Sequence, residues 1–427
     1  MSVYGSIFRV STFGESHGIG VGCIVDGVPP GLKLTEEDVQ PQLTRRRPGQ
    51  SSLTTQRQEG DVVSILSGTE NGVTLGTPVA MIVRNQDQRK FDYANTSSIP
   101  RPGHADYTYQ VKYGIKASSG GGRASARETI GRVAAGGIAE KWLREQYGTS
   151  IVTWVSAVGH VRLPEDVAKR LETTPPTRDE IDSSGALLQL EDGRFVDVYG
   201  NVYEGSSGEP TGEKQGRQMP EDCAKVKETK IHTRCPHAPS AAIMAARIQQ
   251  LRAAGDSTGG ILTTVVRGCP VGLGEPCFDK VEAELAKAMM SLPATKGFEV
   301  GTGFEGVKMT GSQHNDLFAG KDADSSLLYT RTNNAGGTLG GITSGQDIVF
   351  RVAIKPVSSI SLEQETASFD GVVEKLVVKG RHDPCVLSRA SPLVESMTAI
   401  VLCDLAMRQR ARVGPTPLQS LQSNSHR

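Results

Sequence analysis

The sequence predicts one large mixed domain of helices and strands, built from two structurally related halves, and three observations carry that expectation. Gly20 to Leu32 (GVGCIVDGVPPGL) and Gly260 to Leu273 (GILTTVVRGCPVGL) both run as an apolar strand into Gly-x-Pro-x-Gly-Leu, ahead of an acidic, helix-compatible stretch. Downstream, Gly76 to Val83 (GTPVAMIV) echoes Gly345 to Val352 (GQDIVFRV) as a β-rich segment after a Gly-rich turn. Glycine is in excess at 49 of 427 residues, against about 7% on average, and it is clustered in turns where permissive backbone or close approach to a ligand is needed. Gly- and Pro-punctuated strands also look alike by coincidence, so the pairing of halves is left for the structure to decide.

At the start of the chain, a short β-like run from Val3 leads into Gly14-Glu-Ser-His-Gly18. This turn presents His17 either to a cleft, where its proton can move near neutral pH, or to a backbone carbonyl. A helix beginning near Thr35 ends on Thr44-Arg-Arg-Arg-Pro-Gly49. Three consecutive arginines cannot share one helical face, so some point to solvent or to an anion whose paired oxygens suit the guanidinium fork. Arg101-Pro-Gly-His-Ala-Asp106 fixes a histidine two residues before a carboxylate that either orients the ring or caps the segment from Tyr107. Ser118-Ser-Gly-Gly-Gly-Arg-Ala-Ser125 enters the clearest helix, Ala126 to Tyr147, with Ile130, Val133, Ala134, Ile138, Trp142 and Leu143 at helical spacing. A Ser125–Glu128 capping box starts it and Gly148 stops it. Capping alone does not call for three glycines or for Arg123 and Arg127, so this loop is read as a phosphate or cofactor site.

Between about Thr173 and Pro236 the composition shifts to Pro, Gly, Ser and charge, as in an insertion on a folded core. Inside it, Leu187 to Leu190 and Phe195 to Tyr199 flank Glu191-Asp-Gly-Arg194 as a hairpin, and Ser206 to Gln218 is expected to be a mobile loop. Gly301-Thr-Gly-Phe-Glu-Gly306 has dinucleotide-loop spacing, but the next residues, Val307 to Ser312, do not read as a helix, and no P-loop is present. Asn333, Asn334, Thr338-Leu-Gly-Gly341, Lys355-Pro-Val-Ser-Ser359 and Arg381-His-Asp-Pro-Cys385 are turns at the ends of β segments, offering donors and acid–base groups. A second helix opens at Pro392, with Val394, Met397, Ile400, Val401, Leu405 and Met407 as its apolar face. The domain so defined spans 1–412, with the insertion at about 183–231 and a disordered tail over 413–427.

Charge and composition narrow the function classes. Lys+Arg and Asp+Glu are both 47, so no global field attracts nucleic acid or an acidic membrane, and any anion site must be local. Aromatics at 5% argue against an RNA-binding module built on the arginine clusters, the remote alternative. Seven scattered cysteines without a Cys-x-x-Cys pair fit a reducing compartment, and Cys223, His232, Cys235 and His237 match no common zinc framework, so no metal is expected. No uninterrupted apolar run approaches the roughly 20 residues of a membrane span. A cytoplasmic protein is expected, although a removed leader would leave no trace.

Taken together and in order, Gly14-Glu-Ser-His-Gly18, Arg45-Arg-Arg-Pro-Gly49, Arg101-Pro-Gly-His-Ala-Asp-Tyr107, Gly120-Gly-Gly-Arg-Ala-Ser-Ala-Arg-Glu-Thr129 and Arg381-His-Asp-Pro-Cys385 resemble the chorismate synthase family over nearly the whole chain. The resemblance implies an α+β sandwich with helices between two antiparallel sheets, usually a homotetramer. It implies a carbon–oxygen lyase that converts 5-enolpyruvylshikimate 3-phosphate to chorismate and phosphate by 1,4-anti elimination, closing the shikimate pathway to aromatic amino acids, with reduced FMN required. A bifunctional form with intrinsic NADPH-dependent flavin reductase activity is the alternative it leaves open.

Carried over by motif, His17 is expected to protonate the departing phosphate, His104 to protonate reduced flavin, and Asp383 to assist removal of the C6 proton, with Ser16 and Ser125 in support. FMN contacts would fall on Arg123, Ala124, Ser125, Ala294, Gly340, Lys355, Pro356, Val357, Ser358, Ser359 and Arg381. Substrate contacts would fall on Arg46, Arg47 and Arg127. Ala124 stands where the family often has serine, Ser52 where some members place an arginine linked to NADP, and Leu387-Ser-Arg389 departs from the usual run.

Overall fold

The structure, a computed structural model, describes residues 2–87, 98–117, 121–214, 230–325, 327–378, 380, 382–414 and 418–419. Two five-stranded antiparallel sheets enclose a helical layer. The first runs in the order Val3–Tyr4, Arg9–Gly14, Gly20–Asp26, Val79–Arg84, Val63–Ser67; the second, Thr295–Val300, Ile348–Ile354, Gly260–Arg267, Ser150–Val158, Val161–Arg162. Helix Thr129–Tyr147 packs on the first sheet and helix Leu387–Val413 on the second, and the two helices pack on each other. Alternation explains the strands: in Val79–Arg84, the side chains of Val79, Met81 and Val83 are buried toward the helices. This is the α+β sandwich that the family resemblance implies.

The two halves share strand order as well as sequence. Arg9–Gly14, Gly20–Asp26, Val79–Arg84 and Val63–Ser67 correspond in turn to Ser150–Val158, Gly260–Arg267, Ile348–Ile354 and Thr295–Val300. The Gly-x-Pro-x-Gly-Leu turns are held identically by a threonine. Thr74 Oγ1 donates to Pro29 O (2.7 Å) and accepts from Leu32 N (3.0 Å), while Thr343 Oγ1 donates to Pro270 O (2.6 Å) and accepts from Leu273 N (2.8 Å). The Thr74 and Thr343 amides donate back to Leu32 and Leu273, both at 2.9 Å. A recurrence at this level is a repeated structural unit, not a coincidence of punctuation.

Several elements differ from the sequence expectation for local reasons. The helix expected from Ala126 opens with a 3-10 turn, Ala126–Glu128, and becomes α-helical at Thr129. No capping box forms: Ser125 Oγ accepts from Arg127 N (3.3 Å), and Glu128 instead accepts from Thr12 Oγ1 (2.9 Å) and Arg132 Nε (3.0 Å). The C-terminal helix starts at Leu387 and contains Pro392 rather than opening on it. Proline has no N–H for the carbonyl four residues back, and that carbonyl, on Ser388, accepts from the guanidinium of Arg234. One stretch of this helix is long and apolar enough to cross a membrane, yet it is 94% buried inside the fold, so the core uses its hydrophobicity.

The inserted segment folds into its own five-stranded sheet, in the order Pro210–Lys214, Asn201–Tyr203, Phe195–Val196, Ala186–Gln189, Lys230–His232. It includes the expected hairpin, with Leu188 opposite Val196. Part of the expected 206–218 loop is thus a strand, and residues 215–218 lie outside the described residues, as do 415–417 and 420–427 of the tail. The Gly301–Gly306 pattern runs into a 3-10 turn, Gly303–Lys308, and not into an α-helix.

The crossing of the two central helices depends on Gly136, where an added Cβ would lie 2.3 Å from Ser396 Cβ. Gly136→Ala is expected to destabilise the protein by about 1–3 kcal/mol through overpacking. Urea unfolding reads this as a lower midpoint, and an unchanged midpoint would show that the crossing has slack.

Candidate active site

A cavity of about 760 Å³ opens where the two central helices meet the loops at 101–105, 121–126, 291–294, 354–359 and 382–390. Its wall is apolar along the C-terminal helix, with Val386, Leu393, Val394, Met397 and Ile400, and cationic elsewhere. Arg46, Arg101, Arg123, Arg132, Lys355 and Arg389 line it against two carboxylates, Glu128 and Asp383. Six positive side chains against two negative ones, in a chain of zero net charge, give the cavity the local concentration of cationic groups that an anion site in such a chain would need.

His104 is held from behind. Its Nδ1 lies 2.9 Å from Asp106 Oδ1, and Asp106 also accepts from Arg101 Nε (2.8 Å) and Nη2 (2.9 Å). The aspartate therefore orients the ring, one of the two roles the sequence left open, and it also opens the helix Asp106–Tyr113. With the Nδ1 proton directed to Asp106, Nε2 is the nitrogen left toward Gly121 on the cavity side, where a Cβ at Gly121 would lie 3.4 Å away. Burial opposes ionisation of Asp106, but the hydrogen bonds from Arg101 and His104 outweigh it and hold the carboxyl well below the usual range.

The Lys355–Ser359 turn gathers donors. Lys355 Nζ reaches Ser358 Oγ (2.5 Å) and Gly103 O (3.2 Å), Ser358 Oγ donates to Gly103 O (2.7 Å), and Arg101 Nη1 donates to Ser359 Oγ (3.3 Å). Burial and then Lys296 lower the pKa of Lys355. Ala294, beside this turn, sits in the left-handed region at φ 67°, strained backbone for a residue with a Cβ. Arg123 is braced on the first sheet, donating to Gly14 O (3.1 Å) and Thr12 Oγ1 (2.6 Å). Asp383 accepts from Arg389 Nη1 (2.7 Å) and Thr55 N (2.9 Å).

The three arginines of the 45–47 run separate as their helical angles require. Arg45 is buried against Glu395 (2.5 Å) and Asp182 (2.8 Å), Arg47 is exposed at the helix end, and only Arg46 reaches the cavity. Arg46 donates to Asp61 Oδ2 (2.9 Å), Ala126 O (2.7 Å) and Thr129 Oγ1 (3.2 Å). Burial pushes its guanidinium down to about 10; Asp61 opposes this, while Arg389 and Arg127 add to it.

Of the site residues expected from sequence, the structure gathers His104, Asp383, Arg46, Arg123, Ala124, Ser125, Ala294 and Lys355 to Ser359 around one cavity. Others fall elsewhere. Arg127, expected to contact substrate, is buried: Nε donates to Asn85 Oδ1 and Nη1 to Asp61 Oδ1 (3.0 Å), while Nη2 is ion-paired with Glu59 at 3.4 Å without a hydrogen bond. Gly340 belongs to the small hairpin of Thr338–Leu339 with Ile342–Thr343, whose neighbouring Gly341 packs on Glu275 and Lys280, and it does not line the cavity. Arg381 lies outside the described residues.

His17 and Ser16, both expected to be catalytic, sit at the tip of the hairpin joining Arg9–Gly14 to Gly20–Asp26, with Ser16 Oγ 2.9 Å from His17 Nδ1, and neither lines the cavity. Sequence reasoning misses Asp61, Glu59, Asn85, Arg101 as a cavity residue, and Arg389. Only Glu59-Gly-Asp61, two carboxylates shortly after an arginine cluster in a neutral chain, offers a signal.

Fold and cavity together define an α+β sandwich enzyme with a cationic, part-apolar pocket for anionic ligands. Comparison with known proteins makes this specific. The chorismate synthase family model matches residues 8–407. Curated relatives named chorismate synthase include one from Schizosaccharomyces pombe, 53% identical over 97% of this chain and 98% of its own length, and one from Saccharomyces cerevisiae, 50% identical over 96% and 98%. A Toxoplasma gondii relative is 46% identical over 100% of this chain and 99% of its own. A solved structure titled as a crystal structure of chorismate synthase aligns with a TM-score of 0.67 at 27% identity, covering 95% of this chain and 93% of that one. The chain belongs to the chorismate synthase family, whose members are carbon–oxygen lyases.

The Asp106 carboxyl gives a pH test. Its depressed pKa stabilises the fold fully above the unfolded value of about 3.9, and that contribution fades as pH falls below this value toward the folded one. Asp106→Asn should therefore be less stable than wild type at pH 7, with the gap narrowing on acidification toward pH 3. A gap that stays constant across that range would contradict the assignment.

Proposed function

We propose that the protein converts 5-enolpyruvylshikimate 3-phosphate to chorismate and phosphate, with reduced FMN in the same cavity, as the final step of the shikimate pathway. The charge of the cavity carries this reading: six cationic side chains against two carboxylates, where substrate and cofactor together bring two carboxylates and two phosphates. The residues present fit the flavin. Lys355, Ser358, Ser359 and Arg123 supply phosphate donors, Ala124, Ser125 and Ala294 supply close backbone, and Val386, Leu393 and Met397 supply an apolar wall for a ring system. Bound reduced FMN supplies an electron-rich ring to a reaction without net redox change.

The chain's own groups then bind and move protons. Arg46 and Arg389 hold anionic groups of the substrate. His104, its Nδ1 engaged by Asp106, exchanges a proton at Nε2 with the flavin, while His17, its Nδ1 engaged by Ser16, delivers a proton from Nε2 to the departing phosphate. Asp383, aligned by Arg389 and the Thr55 amide, assists removal of the C6 proton. Arg127 acts behind this set and does not touch substrate. We place the enzyme in the cytoplasm as a homotetramer; the six described cysteines are free thiols, in keeping with a reducing compartment.

An anaerobic assay with reduced FMN and the enolpyruvyl substrate is expected to yield chorismate, and its absence would refute the reading. Chorismate formed from oxidised FMN and NADPH, without added reductase, would add the bifunctional activity. His17→Ala and His104→Ala are each expected to lower kcat by about 100- to 10,000-fold with FMN still bound by fluorescence titration. Wild-type turnover in either variant would overturn its assigned role.

A further inference from the structure

We propose that Asn85 is the positioning residue for His17, fixed in turn by Arg127; this rests on the reading of His17 as an acid and adds how the ring is held. His17 sits in the five-residue tip, 15–19, of the first hairpin, a segment too short to carry a core of its own. The carbonyls of Glu15 and Gly18, on either side of Ser16-His17, are both taken by one group, Asn85 Nδ2, at 3.0 and 2.8 Å. The Asn85 amide N donates to Ile19 O (3.0 Å), so the residue grips the tip by main chain and side chain together.

The orientation of the Asn85 amide is not free. Its Oδ1 accepts from Arg127 Nε, and the flipped amide would set an oxygen against two carbonyls and an NH2 against a guanidinium. Arg127 is immobilised by Asp61 Oδ1 (3.0 Å) and Glu59 Oε2 (3.4 Å), carboxylates whose side chains are fully buried. Arg57 adds a second hold, donating from Nη2 to Ser16 O (3.3 Å) while paired to Glu59 (2.6 Å). A continuous chain therefore runs from buried Glu59 and Asp61 through Arg127 and Asn85 to the backbone that carries His17, and Ser16 Oγ completes it at Nδ1 (2.9 Å). This gives a use to a buried arginine, Arg127, that does not line the cavity. Asn85, like His17, is not among the cavity-lining residues, and its side chain bonds only Arg127 and the backbone of the tip, so its effect reaches the chemistry through the segment that carries His17.

The test uses Asn85→Ala and the near-isosteric Asn85→Asp, which presents an acceptor to the two carbonyls. Displacement of an acid by about 1 Å costs on the order of 100-fold in rate. In the anaerobic assay both variants should lose about that factor in kcat, with the substrate KM and FMN affinity little changed. In the background of His17→Ala, Asn85→Ala should cost nothing further, since a positioning residue has no effect once its target is gone. Hydrogen exchange should quicken across residues 14–19 by more than across the strands of the first sheet. Additive losses in the double variant, an effect on KM alone, or unchanged exchange at the tip would overturn the proposal. If wild type makes no chorismate, the functional reading fails, and the exchange experiment alone decides whether Asn85 holds the tip.

Discussion

The Asp61 carboxylate, wedged between the guanidinium groups of Arg46 and Arg127, is the contact on which the site depends. Both guanidiniums are buried, and Arg389 adds to the repulsion at Arg46. Without the carboxylate the three would push apart. Asp61 accepts from Arg46 at 2.9 Å and from Arg127 at 3.0 Å. Burial disfavours its charge, but the two arginines outweigh that and depress its pKa. Removing one member of a buried pair typically costs about 3–5 kcal/mol, because the other charge stays buried and unmatched. Asp61 holds φ at 48°, in the left-handed region, so local backbone strain is part of placing it there. From this point one arm runs through Arg46 to the cavity and the start of the first central helix, and the other through Arg127 and Asn85 to the hairpin of His17.

A second buried network locks the halves together and keeps the first in register. Glu395, fully buried on the C-terminal helix, accepts from Thr153 N (3.0 Å), Gln42 Nε2 (2.8 Å) and Arg45 Nη1 (2.5 Å), with Arg178 Nε at 3.2 Å. One carboxylate thus ties the second sheet, the Glu36–Arg46 helix and the base of the insertion. Adjacent residues on one helix therefore serve different ends: Arg45 closes the sandwich, and Arg46 charges the cavity. Zero net charge is consistent with this economy, since each buried arginine is paired with a carboxylate, Asp61 and Asp182 each serving two.

The sequence made the architecture legible because repeats and periodicity are local signals. The paired Gly-x-Pro-x-Gly-Leu turns marked two halves, and the structure shows Thr74 and Thr343 holding them by the same bonds. Most of the cavity was also legible, since Lys355 to Ser359, Arg123 to Ser125, His104 and Asp383 occupy motif turns. What was not legible depends on partners distant in sequence. Arg127 looks like a ligand-binding arginine beside a glycine loop, and only the fold shows that Asp61, Glu59 and Asn85 surround it away from the cavity. Pro392 looks like a helix start, and only Arg234, bonded to the Ser388 carbonyl 154 positions away, explains how the helix extends through it. The Ser125–Glu128 box fails because Thr12 and Arg132 compete for the glutamate.

The central claim is that one cavity receives both the flavin and the phosphorylated substrate, between the Lys355–Ser359 turn and the Arg46–Arg389 pair. A crystal structure of the protein with FMN and 5-enolpyruvylshikimate 3-phosphate tests it most directly. The account predicts both ligands in this cavity, the flavin against Lys355, Ser358 and Ser359, the substrate's anionic groups on Arg46 and Arg389, and His104 Nε2 facing the flavin ring. Either ligand bound outside the cavity, or a substrate making no contact with Arg46 and Arg389, would contradict it.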